Sequence, residues 1–487
     1  MKRFTLFLLT VITLFSALLC SGCSCNGCGG DKNVSCYEIE CSLKDNLLSC
    51  KQKVTFYNDS ENAVKELKFN LYGNAFRKGA KYSPILSQYQ NLAYPNGVNY
   101  GEMQINSCTQ KGKSLKFEIS GEDQNVLVVY LPKEIFPEER VVVEIDFCLV
   151  LANVVARTGI NDKTINLGNF YPILCVYDKG FYECNYYGIG DPFYSECANY
   201  VVTISAPSEY KVAGGGERVK EKTSNGVTTT TFSLKKARSF AMVLSKDFQI
   251  AEGNVDDVKV SYYYYQDQSP KESLKYALRS LTLFNNKFGK YPYSHYSVVQ
   301  TQFVQGGMEY PTITFISDNL EPESYGEVIV HETAHQWWQT VVGNNEIEHG
   351  FLDEGLAEYS VVLFYENYSE YGLTRQSLVQ SAEKTYKVFC SVVDRLEGKV
   401  DTTMLRSLSQ YSSEYEYVNI AYIKSCIMFD YLRKTIGDQR FFKGLKKYYK
   451  DYSFDIAKPY DLVGTFEKIG ADTNGFFESF YNGKVII

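Results

Sequence analysis

Residues 328–338 have the sequence Val-Ile-Val-His-Glu-Thr-Ala-His-Gln-Trp-Trp, an apolar stretch with two histidines four positions apart. The apolar residues, Trp337 and Trp338 included, predict a helix that ends before Gly343. Positions i and i+4 lie one turn apart on the same face of a helix, so the imidazoles of His331 and His335 can reach a single metal ion. The chain has only 4 histidines, and two of them lie here. We therefore expect this helix to carry a metal site.

A catalytic zinc site of the two-histidine, one-glutamate kind needs a third protein ligand. Glu354 follows His335 after an interval of eighteen residues. This interval allows the first helix to end, a loop to reverse the chain, and a second helix beginning near Phe351 to return the carboxylate. The alternative, an exposed helix with two incidental histidines, fits the bare motif but is disfavoured by the spacing. The sequence thus predicts one Zn²⁺ per chain, bound by His331, His335 and Glu354.

Two further glutamates are expected beside these ligands. Glu332 lies within the motif and points beside the metal, where a carboxylate can accept a proton from the water that the ion activates and pass it to a leaving amine. Glu358 lies one turn beyond Glu354 on the second helix. It is either an acceptor for the N–H of a ligand histidine or an ordinary charge on the helix surface.

The rest of the chain divides by its hydrophobic pattern into an α+β, multidomain organisation. Residues 36–255 are typical of β-strands, and inward-facing residues alternate with others at Val141, Val143, Ile145 and Phe147. From Pro270 onward, apolar residues recur at helical spacing with one intervening β stretch. We predict an antiparallel β domain at 36–255, a mostly helical domain with a small mixed sheet at 256–450, and a short helical cap at 451–487.

The first 22 residues are typical of an export signal, because two basic residues precede an uncharged run at 4–19. That run is short for a membrane span, which needs about 20 apolar residues. Ser21-Gly22-Cys23 resembles the lipobox of bacterial lipoproteins, which implies lipidation of Cys23. The alternatives are an ordinary cleaved signal peptide and an uncleaved anchor. We expect a Cys- and Gly-rich tether at 23–35 and an exported, extracytoplasmic protein anchored by lipid to the bacterial cell membrane.

Composition limits the possible partners. The net charge is −7 and no basic block is present, so the positive surface that phosphate backbones require is missing and nucleic acid is not an expected partner. Hydrophobic residues make up 45% and charged residues 22% of the chain, which is ordinary for globular proteins and excludes wholesale disorder. No obligate protein partner is inferred.

The pattern HExxH, eighteen residues and Glu resembles the gluzincin zinc metallopeptidases of the aminopeptidase N and leukotriene hydrolase family. Gly306-Gly307-Met308-Glu309-Tyr310 is similar to the GxMEN strand of that family, and Tyr422-Ile423-Lys424-Ser425 is similar to its YxKG segment. Residues 190–195 and 238–241 resemble its N-terminal β domain. The resemblance implies a saddle-like β domain followed by a thermolysin-like catalytic domain.

The resemblance also implies roles for individual residues in an aminopeptidase that acts on peptides. Glu309, with Gly306, Gly307 and Met308 beside it, would bind the free α-amino group and so place the scissile carbonyl at the metal. Tyr422 would donate a hydrogen bond to the oxyanion. The alternatives are an edge-strand carboxylate that deters aggregation and a half-buried tyrosine of no catalytic importance.

This sequence departs from the family pattern at several places. Tyr310 replaces the asparagine of GxMEN and Ser425 replaces the glycine of YxKG, so we expect an altered edge of the S1 pocket. Only 65 residues follow Tyr422, from which we expect the large C-terminal helical domain to be absent and the cleft to be more open. Three alternatives to an aminopeptidase stay open: an endopeptidase, a catalytically idle scaffold, and an epoxide hydrolase like the leukotriene branch.

Overall fold

The computed structural model describes residues 33–473 and 475–485. The predicted signal peptide, the lipidation site Cys23 and most of the predicted tether lie outside the described residues. Within the described ranges, no helix combines the length and the apolar character that a bilayer crossing requires.

The strands of the described residues are β1 Ser35–Lys44, β2 Leu47–Tyr57, β3 Val64–Asn70, β4 Glu102–Gln110, β5 Lys113–Ser114, β6 Phe117–Ser120, β7 Val126–Ile135, β8 Arg140–Val150, β9 Thr158–Ile160, β10 Ile165–Leu167, β11 Ile173–Leu174, β12 Ala198–Pro207, β13 Lys211–Gly214, β14 Glu217–Ser224, β15 Val227–Ala237, β16 Met242–Ser245, β17 Gln249–Val255, β18 Val258–Tyr264, β19 His295–Thr301, β20 Gly307–Met308 and β21 Ile313–Ser317.

The α-helices are α1 Gln90–Ala93, α2 Pro270–Lys287, α3 Pro322–Ala334, α4 Glu346–His349, α5 Phe351–Asn367, α6 Arg375–Glu397, α7 Glu414–Tyr417, α8 Ser425–Ile436, α9 Asp438–Asp451, α10 Pro459–Lys468 and α11 Phe476–Tyr481. A π-helical segment, Val418–Lys424, connects α7 to α8.

The first half of the chain is a β domain, as predicted. An eight-stranded sheet has the order β14-β15-β12-β1-β2-β8-β4-β5, and two four-stranded sheets have the orders β13-β16-β10-β9 and β11-β3-β7-β6. Every pair in these sheets is antiparallel except β1 with β12. The alternation predicted along β8 is confirmed, because Val141, Val143, Ile145 and Phe147 are all buried. This period of two places one face of β8 in the core.

The second half is mostly helical and contains the predicted mixed sheet. Its five strands have the order β17-β18-β19-β21-β20, with parallel pairs in the middle and antiparallel pairs at both edges. β17 and β18 form a hairpin, and the domain boundary predicted between residues 255 and 256 falls at the turn of that hairpin. The sheet of the second half therefore begins at Gln249, a few residues before the predicted boundary. α3 packs between α5 and the sheet edge formed by β21 and β20. That arrangement positions the candidate site.

The helix around His331 ends before Gly343, as predicted, but it already ends at Ala334, so the two tryptophans of the predicted helical pattern lie beyond it. The backbone groups that would extend the helix bond elsewhere: the carbonyl of Val341 accepts from the N–H of Phe454, and the N–H of Gly343 donates to the carbonyl of Asp455. The two tryptophans at 337–338 are nevertheless fully buried. Their apolar pattern therefore indicated burial in a turn rather than a longer helix.

Candidate active site

α3 and α5 bring the three predicted metal ligands together. Nε2 of His331 and Nε2 of His335 are 3.1 Å apart, and each lies 3.2 Å from Oε2 of Glu354. Ligand atoms about 2.0–2.1 Å from a tetrahedral zinc ion lie about 3.3 Å from one another. The three side chains therefore already have the spacing of zinc ligands. α5 begins at Phe351, where the sequence predicted the second helix.

Contacts on the far side of each imidazole decide which nitrogen faces this cluster. Nδ1 of His335 lies 3.0 Å from the carbonyl oxygen of Trp338 and donates to it. Nδ1 of His331 lies 3.2 Å from Oε2 of Glu358, which matches one of the two roles that the sequence left open for that glutamate. Nε2 is thus the atom of each ring that faces Glu354. Two imidazole nitrogens and a carboxylate oxygen that converge in this way are a donor set that suits a zinc ion.

Glu332 lies beside the ligands rather than among them. It is 6% exposed, and its Oε2 has no hydrogen-bond partner among the residues that the structure describes. Burial raises the pKa of the Glu332 carboxyl to about 7. β20 approaches this carboxylate so closely that a Cβ on Gly307 would lie 2.3 Å from Oε1 of Glu332. Glycine at 307 therefore lets the edge strand lie against the carboxylate.

A cavity of about 450 Å³ opens in front of these groups. Its lining includes the ligands, Glu332, Gly306, Gly307 and Glu309. Glu309 directly follows the edge strand β20 and is 4% exposed. Met308 does not line this cavity, and its sulfur accepts a hydrogen bond from Nε of Arg157 at 3.1 Å. The structure thus places Glu309 and both glycines at the cavity, and Met308 behind it.

Tyr422 reaches the same cavity from the π-helical segment 418–424. Its hydroxyl donates a hydrogen bond to Oε1 of Glu354, and its ring lies nearly parallel to that of His331, with 5.7 Å between the ring centroids. The ring of Tyr417 meets Tyr422 edge-on. π-helical turns are frequent at functional sites, since they shift the side chains that follow. Here the turn places a phenol beside the ligand cluster.

The β domain contributes a wall of the cavity that the sequence did not reveal. Nη2 of Arg157 lies 2.5 Å from Oδ1 of Asp191, and both residues are buried. Asp191 belongs to the segment 190–195 that resembles the peptidase family, whereas Arg157 lies in no motif that we identified. The ion pair forms between two parts of the chain that only the fold brings together. No local pattern could have indicated it.

The family comparison covers the second part of the chain. Residues 272–480 match the peptidase family M1 domain. This part of the chain is therefore similar to an M1 peptidase domain, which agrees with the family resemblance of the motifs.

Several aminopeptidases have similar sequences. Aminopeptidase M1-B of Oryza sativa subsp. japonica is 25% identical over 292 residues, which are 56% of this chain and 32% of the relative. Aminopeptidase N of Haemonchus contortus is 21% identical over 57% of this chain and 30% of the relative. Aminopeptidase B of Rattus norvegicus is 28% identical over 36% of this chain and 28% of the relative. The chain thus spans about a third of the length of the curated relatives it matches.

Solved structures extend the likeness to nearly the whole chain. The M1 zinc metallopeptidase from Deinococcus radiodurans superposes with a TM-score of 0.68 at 16% identity, covering 93% of this chain and 95% of that one. A mutant of the same enzyme, described as bound to a Tyr-Ser-Ala substrate, superposes with a TM-score of 0.65. At this level of identity the likeness shows the shared two-domain fold.

Proposed function

We propose that this protein is a zinc-dependent aminopeptidase that hydrolyses peptides and releases N-terminal residues. The observation that carries the proposal is the convergence of three zinc-type ligands, a buried unpartnered Glu332 and the hydroxyl of Tyr422 on one cavity. The names of the similar proteins support it, because they are aminopeptidases. The position of Glu309 at the same cavity favours the release of terminal residues over cleavage within a peptide.

In this proposal Glu309 selects the substrate by charge. A free α-ammonium group pairs with the Glu309 carboxylate, and burial of that carboxylate strengthens the pair because water screens it weakly. Glu309 lies at the end of an edge strand, so its position is fixed by the sheet. Anchoring the first residue there holds the first peptide bond near the ligand cluster.

Glu332 and Tyr422 would then handle the proton and the developing negative charge. When bound by His331, His335 and Glu354, zinc supplies a Lewis acid that polarises a carbonyl and lowers the pKa of water towards about 7. The unpartnered Oε2 of Glu332 accepts the proton of the attacking water and delivers it to the leaving amine. The hydroxyl of Tyr422 donates a hydrogen bond to the oxyanion.

The test is a hydrolysis panel of aminoacyl amides and short peptides, each with and without a chelator. Every peptide is paired with its N-acetylated form. Chelator-sensitive release of N-terminal residues from the free-amine peptides alone is the expected result. Equal rates on the free-amine and N-acetylated peptides would identify an endopeptidase and would show that Glu309 does not bind the α-amino group. A zinc-loaded protein that cleaves no amide would be a scaffold, or an epoxide hydrolase if it opens an epoxide substrate.

We also propose that the protein is exported and anchored to the membrane through a lipid on Cys23, on the basis of the leader sequence. In a bacterial host, fatty-acid labelling of the wild type but not of Cys23→Ala is the expected result. The label and the membrane fraction are measured together. An unlabelled wild-type protein in the soluble fraction would contradict the anchor.

A further inference from the structure

A second and much smaller cavity adjoins Glu309. Its volume of about 10 Å³ matches the space that a single water molecule or ion needs. Glu309 borders both this cavity and the catalytic one. The smaller cavity is also lined by Asn169 of the β domain and by Tyr310 and Glu346 of the catalytic domain. It therefore lies where the two halves of the molecule meet.

Four of the side chains that line this cavity have an oxygen without a partner. Oδ1 of Asn169, Oε1 of Glu309, the hydroxyl of Tyr310 and Oε2 of Glu346 make no hydrogen bond to any residue that the structure describes. The four side chains are between 2% and 4% exposed. A buried oxygen without a partner is unfavourable and uncommon in native proteins, so four around one small space need an explanation. A bound ligand that accepts contacts from several of them would explain their burial.

A carboxylate triad identifies the charge of that ligand. Glu309, Glu346 and Asp353 each offer an oxygen atom, and these atoms lie within 4.8 Å of one another. The donors that reach Glu346 and Asp353 are neutral amides: Gln339 bonds to Glu346, and Nδ2 of Asn344 lies 2.8 Å from Oδ1 of Asp353. In their ionised forms, three buried carboxylates this close repel one another strongly, since the surrounding dielectric is low. A cation among them would remove that repulsion.

The nearest positively charged or titratable groups are engaged elsewhere. Arg238 lines the cavity, but its guanidinium donates to the backbone carbonyls of Gln339 and Asp455, among others. Nδ1 of His335 lies 3.8 Å from Oδ2 of Asp353, beyond hydrogen-bond distance, and donates to the carbonyl of Trp338 instead. Neither side chain donates a hydrogen bond to the triad.

We propose that Glu309, Glu346 and Asp353 bind a second cation, a calcium ion, separate from the zinc site. A donor set made only of oxygens suits a hard divalent cation rather than zinc. Magnesium usually keeps several of its water ligands, and a cavity of about 10 Å³ has no room for them. Calcium accepts a cage of protein oxygens in flexible geometry, so calcium is the better candidate. Asn169 and Tyr310 offer neutral oxygens to complete the coordination. The ion would fix the orientation of the Glu309 carboxylate from the side of the smaller cavity.

Metal content and thermal unfolding test this site without reference to activity. The full zinc-loaded chain is titrated with Ca²⁺, washed free of weakly bound ions, and analysed for both metals. We expect one calcium and one zinc per chain in the wild type, with a Tm that rises with calcium concentration because the ion binds only the folded state. Glu346→Gln keeps the side-chain shape but removes one charge, so it should retain zinc and lose both the calcium and the Tm rise.

Glu348→Gln is the matched control. Glu348 lies on the same short helix as Glu346, but its carboxylate accepts a hydrogen bond from Tyr182 and lies outside the triad. This variant should bind calcium as the wild type does. If Glu346→Gln does not fold, Glu309→Gln takes its place with the same expected loss of calcium. A wild type that binds no calcium would overturn the proposal, and so would triad variants that bind it normally.

Discussion

The two halves of the molecule use their interiors differently. In the β domain the inward faces of the long strands are mainly apolar, and Val54 of β2 and Phe147 of β8 are at most 1% exposed. The catalytic domain buries a set of acidic side chains, namely Glu309, Glu332, Glu346, Asp353 and Glu354. Burying carboxylates costs stability unless a cation or hydrogen bonds compensate. The interior of the β domain therefore favours stability. The interior of the catalytic domain retains the groups that the proposed hydrolysis and ion binding require.

This contrast leads to opposite expectations for substitutions. A change in the apolar interior of the β domain should lower the free energy of unfolding and leave the folded enzyme active. A change among the buried polar groups of the catalytic domain should reduce turnover or metal affinity and leave the fold intact. The predictions below test that separation, beginning with the largest effect.

Glu332→Gln should reduce kcat/KM by about 10²- to 10⁴-fold, because an amide cannot accept the proton of the attacking water. The variant should still bind one zinc per chain, since Glu332 is not among the converging ligand atoms. Peptide hydrolysis and elemental analysis measure the two quantities. His335→Ala is the comparison variant and should lose zinc and turnover together. Near-normal rates for Glu332→Gln would show that another group is the base.

Phe147→Ala should lower the free energy of unfolding by about 3–5 kcal/mol, because Phe147 lies in the core and its truncation leaves a cavity. Denaturant unfolding measures this change, and kcat per folded molecule should stay at the wild-type value. Glu144→Ala, an exposed position on the same strand, should change stability by no more than about 0.5 kcal/mol. If Phe147→Ala instead reduced turnover in fully folded protein, the separation between the two halves would fail.

Tyr422→Phe should reduce kcat by about 10²- to 10³-fold, which is the usual effect of removing one oxyanion donor. Zinc content should not change, because the Tyr422 hydroxyl contacts Glu354 but is not among the three ligand atoms. Tyr431→Phe is the control, since its hydroxyl donates to Glu383 on another helix and should leave kcat unaffected. An unchanged kcat in Tyr422→Phe would leave this tyrosine with a structural role only.

Sequence patterns with a fixed spacing predicted the ligand cluster well. His331 lies in the last turn of α3, His335 directly follows that helix, and Glu354 lies in the first turn of α5, so their spacing in the sequence was enough to predict that they meet. Alternation along β8 predicted its buried face for the same reason. The cavity wall was different. Arg157 pairs with Asp191 only through the tertiary fold of the β domain, and Asn169 and Glu346 line one small cavity only because the two domains pack together. Tertiary contacts between distant segments leave no periodic signal in the sequence.

The last prediction concerns Glu358, for which the sequence left a helix-surface charge as the alternative. Oε2 of Glu358 lies 3.2 Å from Nδ1 of His331, so it accepts a hydrogen bond from Nδ1–H and holds the ring with Nε2 towards the ligand cluster. Glu358→Gln should weaken zinc affinity by about 10- to 100-fold, as expected when the hydrogen-bond partner of a ligand histidine is changed. Competition with a chelator measures the affinity.

A matched control lies on the same helix. Glu366 of α5 pairs with Arg433 and Arg375 rather than with a zinc-ligand histidine, so Glu366→Gln should keep the wild-type zinc affinity. Because the side chain of Glu358 is 31% exposed, water can replace part of its hydrogen bond, and the effect should be the smallest of the four. If both variants held zinc equally well, Glu358 would be an ordinary surface charge. The hydrogen bond from His335 to the carbonyl of Trp338 would then be enough to orient the ligands.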